Sequence, residues 1–200
     1  MSASAMSEYD PYQWKAINVL KNRLNIREAA RLREAETEFT ALRAATIALG
    51  PPEPGLPHLQ AIHRTLFQDL FTWAGELREV DIYREDTPFC HFEYLEKNGN
   101  KLMAELAEEH FLTGLDHEKF AARLAYFYCE LNVLHPFREG NGRALRIFFE
   151  HLIIHCSYEV DWSLVERESW IAANKAGVNG GLQGLTAIFS KVVKAVGEKA

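Results

Sequence analysis

An all-α fold carrying one small β element follows from three features of this 200-residue sequence. Apolar residues recur every three or four positions through most of the chain, period-two alternation is confined to the stretch Leu77–Phe92, and four of the seven prolines sit in one loop. With 48% apolar composition, a chain of this size buries about 70% of its unfolded surface, enough for one globular domain spanning residues 1–200. Extended disorder is excluded. The net charge of −6 gives no general attraction for phosphate backbones, so direct nucleic-acid binding is not expected. No apolar run approaches the ~20 residues of a membrane span, and Met1–Glu8 lacks the basic start and apolar core of a signal peptide, so a cytoplasmic protein without membrane association is expected.

About seven helices are expected. A first segment around Tyr12 to Leu24 precedes a longer one from about Arg27 to Leu49, where Leu32, Phe39, Leu42 and Ala45 supply an intermittent apolar face and the many charges a solvated one. Gly50-Pro-Pro-Glu-Pro-Gly-Leu-Pro57 must end that helix, because proline lacks the N–H donor and restricts the residue before it. From His58 to Trp73, the spacing of Leu59, Ile62, Leu66, Leu70 and Trp73 predicts a helix central to the core, with His58 and His63 at its surface or cap. Val80 and Ile82 then alternate with charged neighbours before a polar Arg84–Thr87 turn and a second apolar stretch, which predicts a two-stranded hairpin over 79–92. A lone hairpin is marginal unless it packs on something, so it serves either as a lid or docking edge or as a structural connector.

Asn98-Gly-Asn100 is expected to interrupt a helical region over Glu93–Phe111. Asp116 is placed to cap the next helix, which buries Phe120, Leu124, Tyr128 and Leu131 and ends before Pro136, leaving His135 at the helix-to-loop junction. A helix from Asn141 to Cys156 buries Leu145, Phe148, Phe149, Leu152 and Cys156, and two more fill Leu164–Val196 around a break at Gly177–Gly184. Cys90, Cys129 and Cys156 form no CxxC pair and are read as reduced thiols filling the core.

The chemistry is concentrated in His135-Pro-Phe-Arg-Glu-Gly-Asn-Gly-Arg-Ala-Leu-Arg146. Gly140 and Gly142 allow close backbone approach where a helix begins, and the unpaired N–H groups and positive dipole end of that helix make an anion site suited to a polyphosphate. Arg143 and Arg146 share one face of its first turns, where cations oppose the dipole unless anions meet them. Glu139 is one hard carboxylate beside the cradle, suited to Mg²⁺. His135 can accept a hydroxyl proton near neutral pH, and Phe137 can anchor the loop in the core. Taken singly, each residue has a plain structural explanation as a cap or a helix entry; the joint pattern does not. There is no GxxxxGK[ST], and Leu145 stands where a dinucleotide fingerprint needs its third glycine. His151 and His155 have the spacing of a zinc pair, but His151 is followed by Leu152 rather than the glutamate of a zinc hydrolase.

Position by position, His135–Arg146 matches the HPFx[D/E]GNGRxxR motif of the Fic-domain (Fido) family. Arg23–Ile26, Leu42–Thr46, Leu56–Leu59, Trp73–Gly75 and the stretch Glu79–Phe92 also resemble the compact Fic toxins of bacterial toxin–antitoxin modules. The resemblance implies an all-α Fic fold of about seven helices with a β-hairpin flap over the active site, and AMP transfer from Mg-ATP to a protein hydroxyl with release of pyrophosphate. It implies His135 as general base, Glu139 as Mg²⁺ ligand, Gly140, Asn141 and Gly142 as phosphate cradle, and Arg143 and Arg146 as phosphate contacts, Arg146 on the γ-phosphate. It further implies that a target strand adds to the flap near Asp81, Ile82 and Tyr83 or Pro88, Phe89 and Cys90.

Many Fic proteins carry an inhibitory [S/T]xxxE[G/N] helix. Here only Glu139 is followed by Gly or Asn, and His135 stands four positions before it, so inhibition in cis is not expected. The resemblance instead implies a small antitoxin that directs a glutamate toward Arg146 and binds beside the N-terminal helix. Because nothing follows Ala200, a resident toxin is expected rather than an injected effector, with the ATPase subunits of DNA gyrase and topoisomerase IV as targets by analogy. Another nucleotide or diphosphate donor, and a non-catalytic binding module, remain the alternatives.

Overall fold

The computed structural model describes residues 10–84 and 87–197. The Met1–Glu8 stretch and the centre of the polar Arg84–Thr87 turn lie outside the described residues. Seven α-helices are present among the described residues: α1 (Ala29–Ala44), α2 (Leu56–Phe67), α3 (Leu95–Glu108), α4 (His117–Leu134), α5 (Asn141–His155), α6 (Arg167–Val178) and α7 (Gln183–Val192). Strands β1 (Tyr83–Arg84) and β2 (Thr87–Pro88) form the flap, and β3 (Tyr158–Val160) and β4 (Val193–Ala195) a second small sheet. No helix among the described residues is long and apolar enough to cross a membrane.

The core forms where the apolar stripes meet. Helix α4 packs on α3, α5 and α7, and α2 packs on α1 and α5. Leu59, Ile62 and Leu66 from α2, Phe120, Leu124, Tyr128 and Leu131 from α4, and Leu145, Phe148, Phe149 and Leu152 from α5 are all buried, as their spacing predicts. Asp116 caps α4 by accepting the Lys119 N–H at 3.0 Å. Cys129 and Cys156 are buried within this core, and burial pushes the Cys129 thiol up to about 11, so it carries no nucleophilic thiolate near neutrality.

Several elements depart from expectation. Residues 12–24 form no helix: Gln13 bridges Leu20, and Asn22 bonds the Leu20 and Ile26 carbonyls and the Ile26 N–H through its side chain, the local competition that unmakes a helix. Helix α2 stops at Phe67, and Leu70 and Trp73 are buried from the turns that follow it. Asn98-Gly-Asn100 lies inside α3, because Gly99 is a contact point rather than a break; a Cβ there would stand 3.0 Å from Leu56 and 3.3 Å from Leu134. The chain around β4 leaves the expected C-terminal helix to pair antiparallel with β3, a sheet too short and too far apart in sequence to show as alternation.

Helix α1 carries the most consequential difference. Its buried line is Leu32, Glu36 and Thr40, while Leu42 is 71% exposed. Two polar residues therefore face inward from a helix whose charges were expected to be solvated. His63 is likewise fully buried rather than at the surface. His151 and His155 grip the proline-rich loop: the Gly50 N–H donates to His151 Nδ1 at 3.2 Å, and His155 Nε2 lies 2.7 Å from the Gly50 carbonyl.

Candidate active site

The loop between α4 and α5 owes its shape to two residues outside the usual backbone regions. His135 closes α4 in the left-handed region (φ 47°, ψ 61°), its N–H still bonded to Leu131 O at 3.1 Å. Gly140 is also left-handed (φ 81°), and a Cβ there would stand 2.2 Å from the Phe67 ring. Helix α5 then starts at Asn141 with no side-chain cap, so the amides of its first turn point out of the helix end. The geometry and dipole of that end suit it to an anion.

Side chains from inside hold the loop. Asn141 is buried and turns its amide inward, accepting from the Phe137 N–H at 2.9 Å and donating to the Phe137 carbonyl at 2.7 Å. Its side chain thus braces the cradle, and only its backbone is at the helix opening. Phe137 is buried and stacks on His63, ring centroids 3.9 Å apart. His63 accepts the Gly75 N–H on Nδ1 at 2.9 Å, which fixes the tautomer and makes Nε2 the donor to the Glu139 carbonyl at 2.9 Å. Burial drives its pKa down to about 4, so the ring is neutral and the pair of bonds is permanent near neutrality.

His135 Nδ1 lies 3.0 Å from the Asn132 carbonyl. A carbonyl only accepts, so Nδ1 carries the proton and Nε2 the lone pair that proton abstraction requires. The Phe89 ring of the flap lies flat on this imidazole, centroids 3.9 Å apart at 16°.

Across the loop, Glu139 accepts the Gly140 N–H through Oε1 at 2.9 Å and stands 3.8 Å from Arg143, its side chain 44% exposed. This single accessible carboxylate fits a cation that fills its shell with water and phosphate oxygens, as Mg²⁺ does, and not a protein-caged metal. His151 and His155, the pair at zinc spacing, both turn ring nitrogens to the Gly50 backbone. Arg143 bonds Glu36 at 2.6 Å and Thr40 at 3.4 Å and lies over the Phe67 ring. Burial raises the Glu36 pKa, and Arg143 opposes the rise. Arg146 lies over Trp162 and Trp170, 5.5 and 5.7 Å from their ring centroids. Gly142 has open space where a Cβ would be. Arg143 and Arg146 both border a cavity of about 700 Å³ that α1 walls with Leu32, Glu36 and Thr40.

The flap is tied down at its base. Asp81 accepts the Phe92 N–H at 2.9 Å and lies 3.2 Å from His91 Nε2, while the Cys90 N–H donates to the Val133 carbonyl. Tyr83 pairs with Pro88, Phe89 N–H bonds the Ile82 carbonyl, and Tyr83 is 62% exposed. Asp81 and Cys90 therefore anchor the hairpin, whereas Ile82, Tyr83, Pro88 and Phe89 form the part it presents.

Sequence reading missed Glu36, His63 and Arg78. Glu36 stands midway between Leu32 and Thr40 at four-residue spacing, and His63 adjoins Ile62 four positions after Leu59, so helical spacing alone puts both on inward faces.

The chain is similar to several known proteins. Residues 55–153, from the start of α2 through most of α5, match the model of the Fic/DOC family. A protein of Escherichia coli (strain K12) named probable protein adenylyltransferase Fic is 59% identical over 94% of both chains. Protein adenylyltransferase VbhT of Bartonella schoenbuchensis is 37% identical over 91% of this chain and 38% of its own length. Among solved structures, BepC of Bartonella tribocorum with bound AMPPNP superposes with a TM-score of 0.84 at 28% identity, covering 94% of this chain and 97% of that one. Identity of 59% over 94% of the chain, with the match running through the loop that carries His135 and Gly140, shows that the chain belongs to the Fic/DOC family.

Proposed function

We propose that this chain is a protein adenylyltransferase that moves AMP from Mg-ATP to a hydroxyl side chain of a target protein. The observation that carries the reading is the tautomer of His135, whose basic Nε2 stands on one shoulder of a loop that ends at the anion-binding start of α5. In the transfer, His135 takes the hydroxyl proton as the oxygen bonds to the α-phosphorus. The bond from that phosphorus to the bridging oxygen breaks, and pyrophosphate leaves with the electron pair. The amides of Asn141 and Gly142, with Arg143 and Arg146, hold the phosphates and offset the charge that builds on them, while Gly140 makes the turn that opens the cradle. Glu139 would hold Mg²⁺, which would supply positive charge against the phosphates. Relatives named as protein adenylyltransferases and a neighbour with bound AMPPNP support ATP as the donor.

Target docking falls to the flap, where an extended segment adds beside Ile82 and Tyr83 or Pro88 and Phe89. The whole chain, 1–200, acts as one Fic domain in the cytoplasm. We read it as the toxin of a toxin–antitoxin pair, with the ATPase subunits of DNA gyrase and topoisomerase IV as targets and a small antitoxin as inhibitor. The cavity beside α1 supports the last point: Leu32 and Ile147 give it an apolar wall, and Arg146 supplies a cation for an incoming glutamate.

The test is incubation of the purified protein, freed of co-purifying partners, with Mg²⁺, bacterial lysate and ATP labelled at α or at γ. Label from α alone, lost in His135→Ala and Glu139→Ala, is expected, with gyrase or topoisomerase subunits among the labelled bands. Label from γ would mean a kinase-like reaction, and no label from either would turn attention to another donor or to a binding module.

A further inference from the structure

Arg78 enters none of the roles above, yet its side chain is 0% exposed and each nitrogen of its guanidinium fork has a carbonyl within reach. Nε donates to the His135 carbonyl at 2.9 Å, and Nη1 donates to the Val80 carbonyl at 2.7 Å. Nη2 donates to the carbonyls of Leu134, at 3.3 Å, and Cys90. The Arg78 N–H adds a bond to the Pro136 carbonyl at 2.9 Å. Val80 enters the flap, Cys90 leaves it, and Leu134, His135 and Pro136 are the end of α4 and the start of the motif loop.

A buried cation is tolerated here for two reasons. The last carbonyls of α4 form the negative end of its dipole, and the Asp81 carboxylate stands 3.8 Å from Nη1. A cap for α4 alone would need only the bonds to Leu134 and His135. The two further bonds, to either end of the flap, serve a different purpose. We infer that Arg78 is a positioning residue that locks both ends of the flap to the backbone of His135, so that the docked hydroxyl and the base that deprotonates it share one frame. The planar fork suits this task and a lysine does not, because one ammonium cannot span carbonyls in three segments.

The inference rests on the proposed adenylyl transfer for its kinetic arm only. The full chain is compared with Arg78→Lys and with Asp81→Asn, a milder change that keeps an acceptor for the Phe92 N–H and removes the nearby charge. Initial rates of target labelling are measured against ATP and target concentration, and backbone hydrogen exchange is followed by mass spectrometry without substrates. For Arg78→Lys, kcat falls about a hundredfold while KM for ATP stays within about threefold, since an error near 1 Å in the reacting geometry costs that much. Exchange rises in the peptide covering 79–92 and around 133–137 but not in α2 or in α5 beyond its first turn. Asp81→Asn shifts the same readouts in the same direction by less.

Wild-type kcat in Arg78→Lys would overturn the inference. So would an exchange increase spread evenly over the chain, with kcat and KM changed together, because that is the mark of a merely structural residue. If the unmodified chain transfers no label, the proposed function fails and the exchange arm still decides: an increase confined to the flap and the end of α4 upholds the lock, and any other pattern removes it. If Arg78→Lys does not fold, Asp81→Asn decides by the same two criteria.

Discussion

Glu36 and Arg143 meet at 2.6 Å although they stand 107 positions apart in the chain. The pair joins α1 to the first turn of α5, and so carries the position of a helix outside the Fic motif to a guanidinium inside it. Burial raises the Glu36 pKa despite Arg143, which means the ionised carboxylate costs more than its partner returns. That cost sets in as pH rises through the ordinary carboxylate range and is complete only above the raised folded value.

Glu36→Gln is therefore expected to fold with stability within about 1 kcal/mol of wild type at pH 7, or slightly above it, because it removes the buried charge and leaves Arg143 partly hydrated. Activity separates from stability in this variant. Arg143 loses the anion that orients it, and kcat for transfer falls about tenfold. Thermal melts beside initial-rate measurements check both halves, and a loss of stability that tracks the loss of rate would sink the explanation.

His63 sets an acid limit. Its folded pKa of about 4 lies below the ordinary value near 6.5, so the unfolded chain takes up a proton that the folded one refuses. Stability from this group is complete above pH 6.5 and declines as pH falls toward about 4, by about 3 kcal/mol in all. His151, also held near 4 by burial and by His58, contributes in the same window. The measurement is thus a difference: urea denaturation from pH 7 to pH 4.5, wild type against His63→Phe, with the shallower decline expected in the variant.

The two motif glycines should part company. Gly140→Ala places a methyl 2.2 Å from the Phe67 ring at a φ of 81°, and is expected to cost 2 kcal/mol or more, on the order of other overpacked, strained sites. Gly142→Ala meets no protein atom within 4 Å and gains about 1 kcal/mol of helix propensity, so it folds at least as well as wild type. Its methyl stands where the phosphates are proposed to lie, so binding of an ATP analogue weakens at least tenfold. Titration by calorimetry, with a melt on the same samples, distinguishes the two.

Phe89→Ala removes the ring that lies 3.9 Å above the His135 imidazole. The imidazole becomes better hydrated on that face and loses a contact that fixes its plane. Transfer to the protein target is expected to fall at least tenfold with ATP affinity unchanged, because the hydroxyl loses its registered base while the phosphate site is untouched. Equal losses in ATP affinity and in rate would mean that Phe89 supports the nucleotide site itself.

Local chemistry made most of this molecule readable from the sequence. The stripes of α2, α4 and α5, the cap at Asp116, the stop before Pro136 and the hairpin over 79–92 depend on neighbours three, four or two positions away, and the chain alone holds that information. The motif is continuous, so its residues arrive together. The loop over 12–24 was misread because its apolar spacing imitates a helix while Asn22 satisfies the backbone locally. Tertiary structure alone decided what stands behind the motif: that Glu36 reaches Arg143, that His63 holds the Glu139 carbonyl, and that Arg78 ties the flap to His135. The physical reason is common to all three. A polar side chain on an inward face declares only that it needs a partner, and the partner is chosen by which helices pack together, a result of burying the whole apolar surface rather than of any short stretch of chain.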